Sequence, residues 1–296
     1  MLSKIINYSK LALISDVIFK SAKASGNFSG IEFGEFGRRI GRQILFQLPN
    51  CGIEYLIAPV NSVRYFEFPF VESCITDNAL NCLDISSPRL FSLYCADKKP
   101  ATKIRIINPD VADYKTTLKM LEALHLTNVS AENIDLKKIS QDEHYDFIWS
   151  ISVIEHISGD YNDTDAIKMM YALLKEGGKL ILTFPVDRVF RNEYISNNAY
   201  GLSVDQIEEK YFFQRYYDYS SIVSRLLDPI GAKNVHMSWF GETTEGYFAN
   251  YETEWKKDGI KKLVNDPIEM IRNFAEYPTW DAMPGMGVCG LMIEKS

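Results

Sequence analysis

The chain has 296 residues, 46% of them hydrophobic and 24% charged, with 32 Lys and Arg against 39 Asp and Glu for a net charge of -7. That length and apolar content suit one large folded domain or two small ones and exclude a disordered tail protein. The acidic balance leaves no broad positive field to neutralise phosphates, which argues against nucleic acid as a partner.

Glycine is scarce at 17 residues, whereas 17 Tyr, 17 Phe and 4 Trp make the chain rich in rings. A glycine-built loop has few residues to draw on, and a small-molecule pocket has many aromatic walls. Five cysteines, Cys51, Cys74, Cys82, Cys95 and Cys289, are odd in number and widely spaced. They indicate neither a disulfide framework nor a zinc site and point to thiols in a reducing cytoplasm, with no metal.

In chain order, Met1–Lys20 carries apolar residues at helical intervals interrupted by Lys4, Lys10 and Asp16. It predicts a packed amphipathic helix and not a signal core or a spanning segment, so no stable membrane insertion is expected. The Ser25–Gly30 stretch is rich in turn formers, and Ile31–Phe70 mixes apolar residues with arginine. Through residue 70 there are eight basic and five acidic residues, a mild positive bias in residues 1–78.

From Asn78 onward the pattern alternates. The apolar run Leu80–Ile85 precedes a helix over Arg89–Ala96. The run Ile104–Ile107 precedes a helix with Val111, Tyr114, Leu118, Leu121 and Leu124 at helical spacing. A weak strand near Val129–Asp135 leads to a strong one at Phe147–Ile151. The Asp163, Thr164, Asp165 cluster offers an N-cap for the next helix, and Gly177 stands where that helix should stop. Lys179–Phe184 is another buried-strand run. Strands alternating with helices at this spacing predict a parallel sheet covered on both faces.

After Pro185 the rhythm gives way to the aromatic segment Val189–Tyr219. A helix with Ile222 to Leu227 follows, then a strand near Val235–Phe240, a charged helical stretch Trp255–Phe274 and a last strand Gly287–Glu294. That strand is expected to return antiparallel.

Two phrases carry a resemblance. YDFIWSISVIEHI, then a helix, then LLKEGGKLILTFPVD, over Tyr145–Asp187, resembles the fourth strand, helix and fifth strand of the class I S-adenosylmethionine-dependent methyltransferases. Upstream, LNCLDISSPRLFSLY falls where that family has its first strand and donor loop, and IRIINPD where its second strand ends. The resemblance covers roughly Ala79 to Asp187 plus the terminal strand. It implies an α/β, Rossmann-like, seven-stranded, mostly parallel sheet with its last strand antiparallel. An N-terminal helical extension or lid would occupy 1–78, and the domain 79–296 would carry cap insertions at about 189–219 and 243–285. It also implies S-adenosyl-L-methionine as cofactor and an acceptor that is a small molecule, softly preferred as a sugar or glycan-precursor hydroxyl. No oligomeric state follows.

The loops after the first and fourth strands should face the ligand, because strand order reverses between them. Where the family has acidic-x-Gly-x-Gly-x-Gly, this chain has Asp84-Ile85-Ser86-Ser87-Pro88-Arg89, and Asn108 stands where the family commonly places an acid. On the resemblance, the cofactor-binding residues are Asp84, Ser86, Ser87, Asn108, Asp110, Asp135, Ser150 and Ser152. His156, with Glu155 beside it, is the base or orienter, or else an early-turn residue that packs. Arg188, Arg191, Tyr194 and Tyr200 are expected against the substrate, with Arg64 a further partner for an anionic group. A glycine-free donor loop equally suits a degenerate member that binds or scaffolds without catalysis. The G-x-G-x-x-G of a nicotinamide enzyme is missing.

Overall fold

In a computed structural model of the chain, the described residues are 2–296 apart from 27, 28, 77–79, 143, 200 and 203. The expected substrate contact at Tyr200 and the expected division between 78 and 79 lie outside the described residues.

Four helices come first: α1 (Leu2–Ala24), α2 (Ile31–Ile44), α3 (Pro49–Ile57) and α4 (Arg64–Cys74). In α2 the buried Phe33, Phe36, Ile40 and Ile44 recur every three or four residues and form one apolar stripe. The alternating part follows as β1 (Asn81–Ile85), α5 (Arg89–Lys98), β2 (Lys103–Ile107), α6 (Val111–Ala123), β3 (Val129–Glu132), β4 (Tyr145–Ile151), α7 (Asp163–Ala172) and β5 (Leu174–Val186). The remainder holds β6 (Arg191–Ile195), β7 (Gln206–Ile207), β8 (Lys210–Tyr216), α8 (Tyr219–Ile222), β9 (Asn234–Glu242), α9 (Tyr247–Asp258), α10 (Ile260–Leu263), α11 (Asp266–Asn273), β10 (Phe274–Tyr277) and β11 (Gly287–Glu294).

Eight strands form one sheet in the order β10-β9-β11-β5-β4-β1-β2-β3. The neighbours from β3 to β5 pair parallel, and β11 runs antiparallel between β5 and β9. This is a Rossmann-like α/β fold with the expected antiparallel return. The eighth strand, β10, was not expected: Phe274–Tyr277 pairs with the edge of β9 after α11. From β1 the chain steps outward through β2 and β3, then returns to place β4 on the other side of β1. The crevice at the carboxyl ends of β1 and β4 is therefore the switch point at which open α/β sheets bind ligands.

The central strands are buried on both faces, which is why they read as near-continuous apolar runs. One face packs Phe147, Trp149 and Ile181 under α2, α4 and α5. The other packs Ile148, Leu180 and Leu182 under α7. The helix α4 lies close on the sheet because β11 has Gly290 beneath it; a Cβ there would come within 2.6 Å of the Phe70 ring.

Three local expectations are corrected. The cap of α7 is Asn162, whose side chain accepts from Thr164 and Asp165 N–H in a capping box, while Asp163 turns inward and is fully buried. The helix ends at Ala172, and Gly177, with φ +73, lies in the irregular start of β5. The charged stretch begins earlier than expected and is divided into α9, α10 and α11. The aromatic segment also has an architecture of its own, a three-stranded antiparallel sheet in the order β6-β8-β7.

At the start of α11, the fully buried Asp266 accepts from the Ser62 N–H at 2.7 Å and from the Tyr251 hydroxyl at 2.8 Å. Burial pushes its carboxyl up to about 7. A raised carboxyl stabilises the fold fully below its unfolded value near 4 and loses that contribution as pH climbs through 7, a span on the order of 4 kcal/mol. Asp266→Asn keeps an oxygen for both donors and should flatten the stability profile between pH 4 and 8 by roughly that amount. Urea unfolding across that range checks it, and parallel profiles for the two proteins would show that Asp266 is not the group responsible.

Candidate functional site

The loop that leaves β1 is built without glycine. Asp84 is fully buried; its carboxylate accepts the Ser87 N–H at 2.9 Å and the Ser92 hydroxyl. Burial raises the Asp84 carboxyl, and these donors pull it back toward the ionised form. Asp84 thus braces the loop through Ser87 and α5 through Ser92. Ser86 takes the left-handed conformation, φ +53, that a glycine would adopt at no steric cost. Its N–H and hydroxyl both donate to the Ile107 carbonyl, at 2.9 and 3.0 Å, which fastens the loop to the end of β2. The Ser87 hydroxyl accepts from the Ile151 N–H at 3.0 Å and so ties the β1 loop to the end of β4.

The exit of β4 is the second wall. Ser150 is fully buried and its hydroxyl has no partner among the described residues. Ser152, also left-handed at φ +51, donates its N–H to the Thr183 carbonyl and its hydroxyl to Glu67 Oε1 at 2.6 Å. The same Glu67 oxygen accepts the Thr183 hydroxyl at 2.7 Å. Glu67 descends from α4, is fully buried, and leaves Oε2 without a partner. Glu155, buried in the 3-10 turn that follows, likewise leaves Oε2 unpartnered. Burial is the main cause that lifts the Glu155 carboxyl well above its usual range, with the nearby Glu67 charge adding to it.

His156 stands beside this pair. Its Nδ1 lies 2.6 Å from the Phe213 carbonyl of β8, so Nδ1 carries the proton of the neutral ring and Nε2 is the unprotonated nitrogen. Nε2 lies 3.8 Å from Glu155 Oε1. Burial depresses the imidazole to about 4, and the ring is neutral at pH 7. Sequence reasoning missed Glu67. The signal was present: a lone carboxylate between Tyr65, Phe66, Phe68 and Phe70 needs a buried partner, and the partner lay across the fold.

At the ends of β2 and β3 the expected residues serve first as caps. Asn108 donates to Asp113 at 2.8 Å and accepts the Asp110 N–H at 2.9 Å, which uses both ends of its amide. Asp110 accepts from the N–H groups of Ala112 and Asp113 through one oxygen. Asp135 accepts the Lys137 N–H through Oδ1, and its Oδ2 lies 3.6 Å from the Lys137 ammonium. Asp110 and Asp135 each keep acceptor capacity toward the rim, and Asn108 keeps little.

The aromatic insertion latches onto the same turn. Arg215 of β8 donates to the Ile157 carbonyl at 2.5 Å, and Asp187 N–H bonds the Tyr217 carbonyl at 2.9 Å. The expected substrate arginines are already engaged. Arg191 bonds Asp187 at 3.0 Å and lies 3.6 Å over the Tyr216 ring. Arg188 donates to the Asp281 and Met283 carbonyls and stacks on Trp280. Tyr194 packs edge-on against Phe212, its cross-strand partner. The structure therefore brings together Ser86, Ser87, Ser150, Ser152, Glu155 and His156, and places Arg188, Arg191 and Tyr194 in the insertion and its hinge. A groove of about 730 Å³ opens at the other end of the sheet, beside Asn81, Lys103, Val129 and Tyr145 at the amino ends of the strands, remote from this chemistry.

Neither a protein-family model nor a curated protein sequence matches the chain. Solved structures with a similar fold include an O-methyltransferase from a trans-AT PKS multienzyme of Brevibacillus brevis in complex with S-adenosyl-L-homocysteine, at 15% identity over 92% of this chain and 81% of that one, TM-score 0.49. Coclaurine N-methyltransferase with N-methylheliamine and SAH is 13% identical over 76% and 68%, TM-score 0.48. Phosphoethanolamine N-methyltransferase 2 of Haemonchus contortus with S-adenosyl-L-methionine is 12% identical over 75% of this chain and 50% of that one, TM-score 0.47. At such identities the likeness is one of fold, and the reading of the site rests on this chain's own strand order and side chains.

Proposed function

We propose that the protein transfers a methyl group from S-adenosylmethionine to a small-molecule acceptor. The observation that carries this reading is that Ser150 Oγ at the end of β4, Glu155 Oε2 in the turn after it and Glu67 Oε2, whose carboxylate is bonded to Ser152, are buried without a partner among the described residues, next in the chain to a neutral His156. Buried polar atoms are rarely left unpaired unless a ligand or water completes them. The residues present fit the donor: Ser86 and Ser152 would hold its methionyl part, Asp110 would accept from the ribose hydroxyls, and Asp135 would accept from the adenine amino group.

When bound, the donor supplies an electrophilic methyl group on a sulfonium. The chain's task is then to hold the acceptor in line, and positioning of that kind can supply ~7–11 kcal/mol of the barrier. His156 Nε2, with Glu155 beside it, takes a proton from a hydroxyl acceptor, the Phe213 carbonyl orients the ring, and the insertion clasped to 154–157 excludes water. A neutral imidazole suits a hydroxyl, which agrees with a sugar or glycan-precursor acceptor. Five free thiols favour a reducing cytoplasm, no described helix is long and apolar enough to cross a membrane, and the acidic net charge disfavours a nucleic-acid acceptor.

The second reading is a methyltransferase-fold protein that binds without catalysis, and it is favoured by Asn108, whose side chain is spent on the cap of α6. Donor affinity in Asp135→Ala tests the placement of the site. The loss of one charged acceptor should weaken binding by ~1–3 kcal/mol, at least about fivefold. An affinity equal to that of the parent protein would remove Asp135 from the donor site.

A further inference from the structure

We infer that the outward face of α1 docks reversibly on an anionic membrane surface, with Leu13, Ile14 and Val17 entering the headgroup boundary and Lys10 and Lys20 reaching the lipid phosphates. The inference is independent of the methyl-transfer reading.

The inner face of α1 is firmly placed. Ser15, Phe19 and Ala22 are buried. The Ser15 hydroxyl donates to the Ile57 carbonyl at the end of α3 and accepts from Arg38 Nη2 of α2 at 2.6 Å, and the Arg38 guanidinium lies 4.6 Å over the Phe19 ring. The outward face is apolar as well. Leu13 is 70% exposed, Val17 one turn later is 67% exposed, and Ile14 between them is 50% exposed. Among the described residues, no other helix leaves three large apolar side chains open in this way. A helix that is apolar on both sides is ordinarily buried on both, and a clustered apolar patch left in water marks a surface that meets a partner.

The charge of α1 selects the partner. The helix carries four lysines, Lys4, Lys10, Lys20 and Lys23, against one acid, Asp16, in a chain whose net charge is -7. Lys10, three residues before Leu13, and Lys20, three residues after Val17, are both exposed and bracket the apolar patch. Asp16, the one acid, is bonded to Lys20 at 2.6 Å. Two copies of the chain meeting through this face would set lysine against lysine, whereas anionic headgroups complement both lysines at once. The lysine stems lie along apolar surface with their ammonium groups at the phosphates, while the Leu, Ile and Val side chains occupy the acyl boundary. Three apolar side chains alone bind weakly, and each lysine near an anionic surface adds about fivefold, so the two together give attachment that salt reverses.

The test is co-sedimentation of the intact protein with phosphatidylcholine vesicles, prepared with and without roughly 30% phosphatidylserine. The protein should pellet with the anionic vesicles in about 0.1 M salt and be released in about 0.5 M, where charges are screened over a shorter distance. Neutral vesicles should bind it at least about tenfold more weakly. The double substitution Leu13→Ser with Val17→Ser should weaken binding to anionic vesicles at least about tenfold, and Lys10→Gln with Lys20→Gln should weaken it by about fivefold for each lysine. All four side chains are exposed, so urea unfolding of both variants should match that of the parent protein.

Failure to pellet with anionic vesicles, equal binding to neutral and anionic vesicles, or binding undiminished by the Leu13 and Val17 substitutions overturns the inference. Sedimentation velocity without vesicles separates the remaining occupant. The parent protein and the Leu13, Val17 variant should sediment alike, and a concentration-dependent dimer that this variant abolishes would assign the face to a second copy of the chain and overturn the membrane reading.

Discussion

Asp163→Ala should destabilise the protein by about 3 kcal/mol at neutral pH. Asp163 is fully buried at the first turn of α7 and accepts from the Tyr217 hydroxyl and from Arg225 Nε, each at 2.8 Å, with Arg225 Nη2 at 2.5 Å and Arg215 Nε at 3.7 Å. Its removal takes the counter-charge from the buried Arg215, which keeps the Ile157 carbonyl, and leaves the Tyr217 hydroxyl without its acceptor. The estimate sits at the low end of the range for broken buried pairs because the Arg225 side chain is 31% exposed and water takes up part of its loss. Asp163 also joins α7 to the insertion and α8, so the damage should reach the clasp on the 154–157 turn. Urea unfolding checks the prediction. A loss below about 1 kcal/mol would mean that the cluster balances its own desolvation cost.

His156→Ala should lower turnover by ~10²–10⁴ on any acceptor the parent protein methylates, with donor affinity changed by less than about threefold. The reasoning follows from the hydrogen bond of Nδ1 to Phe213 and the depressed imidazole, which together leave a neutral ring with Nε2 as its basic atom. Steady-state turnover and donor calorimetry on the same variant check both halves. Undiminished turnover would return His156 to the packing role that an early-turn residue can equally play. A parallel loss of donor affinity would place it against the donor and not the acceptor.

The sheet was legible because its central strands are buried on both faces: past the exposed Leu80, the runs Leu80–Ile85, Ile104–Ile107, Phe147–Ile151 and Lys179–Phe184 read as apolar because little of either face meets water. The serine loop was legible in place but not in conformation. That Ser86 and Ser152 hold left-handed backbones depends on bonds to Ile107, Thr183 and Glu67, distant in sequence. Glu67 itself was not legible as a site residue, because the 116 residues that separate it from Thr183 hide the pairing. The strands of the insertion went unread for a different reason. Tyr211, Phe212 and Phe213 are consecutive rings without clean alternation, and their sheet forms by pairing with Arg191–Ile195 across an intervening stretch. Asp163 looked like a cap because acids gather at helix starts; the neighbouring Asn162 does the capping and frees Asp163 to face inward.

The low glycine count is thus accommodated, with two serines standing in left-handed positions at the carboxyl ends of β1 and β4. The central claim is that this loop admits a donor. Isothermal titration of the intact, folded protein with S-adenosylmethionine and with its demethylated product tests it most directly. The account predicts saturable one-site binding of both, weakened in Asp135→Ala. No heat of binding at millimolar donor, from protein shown to be folded by its unfolding transition, would contradict it.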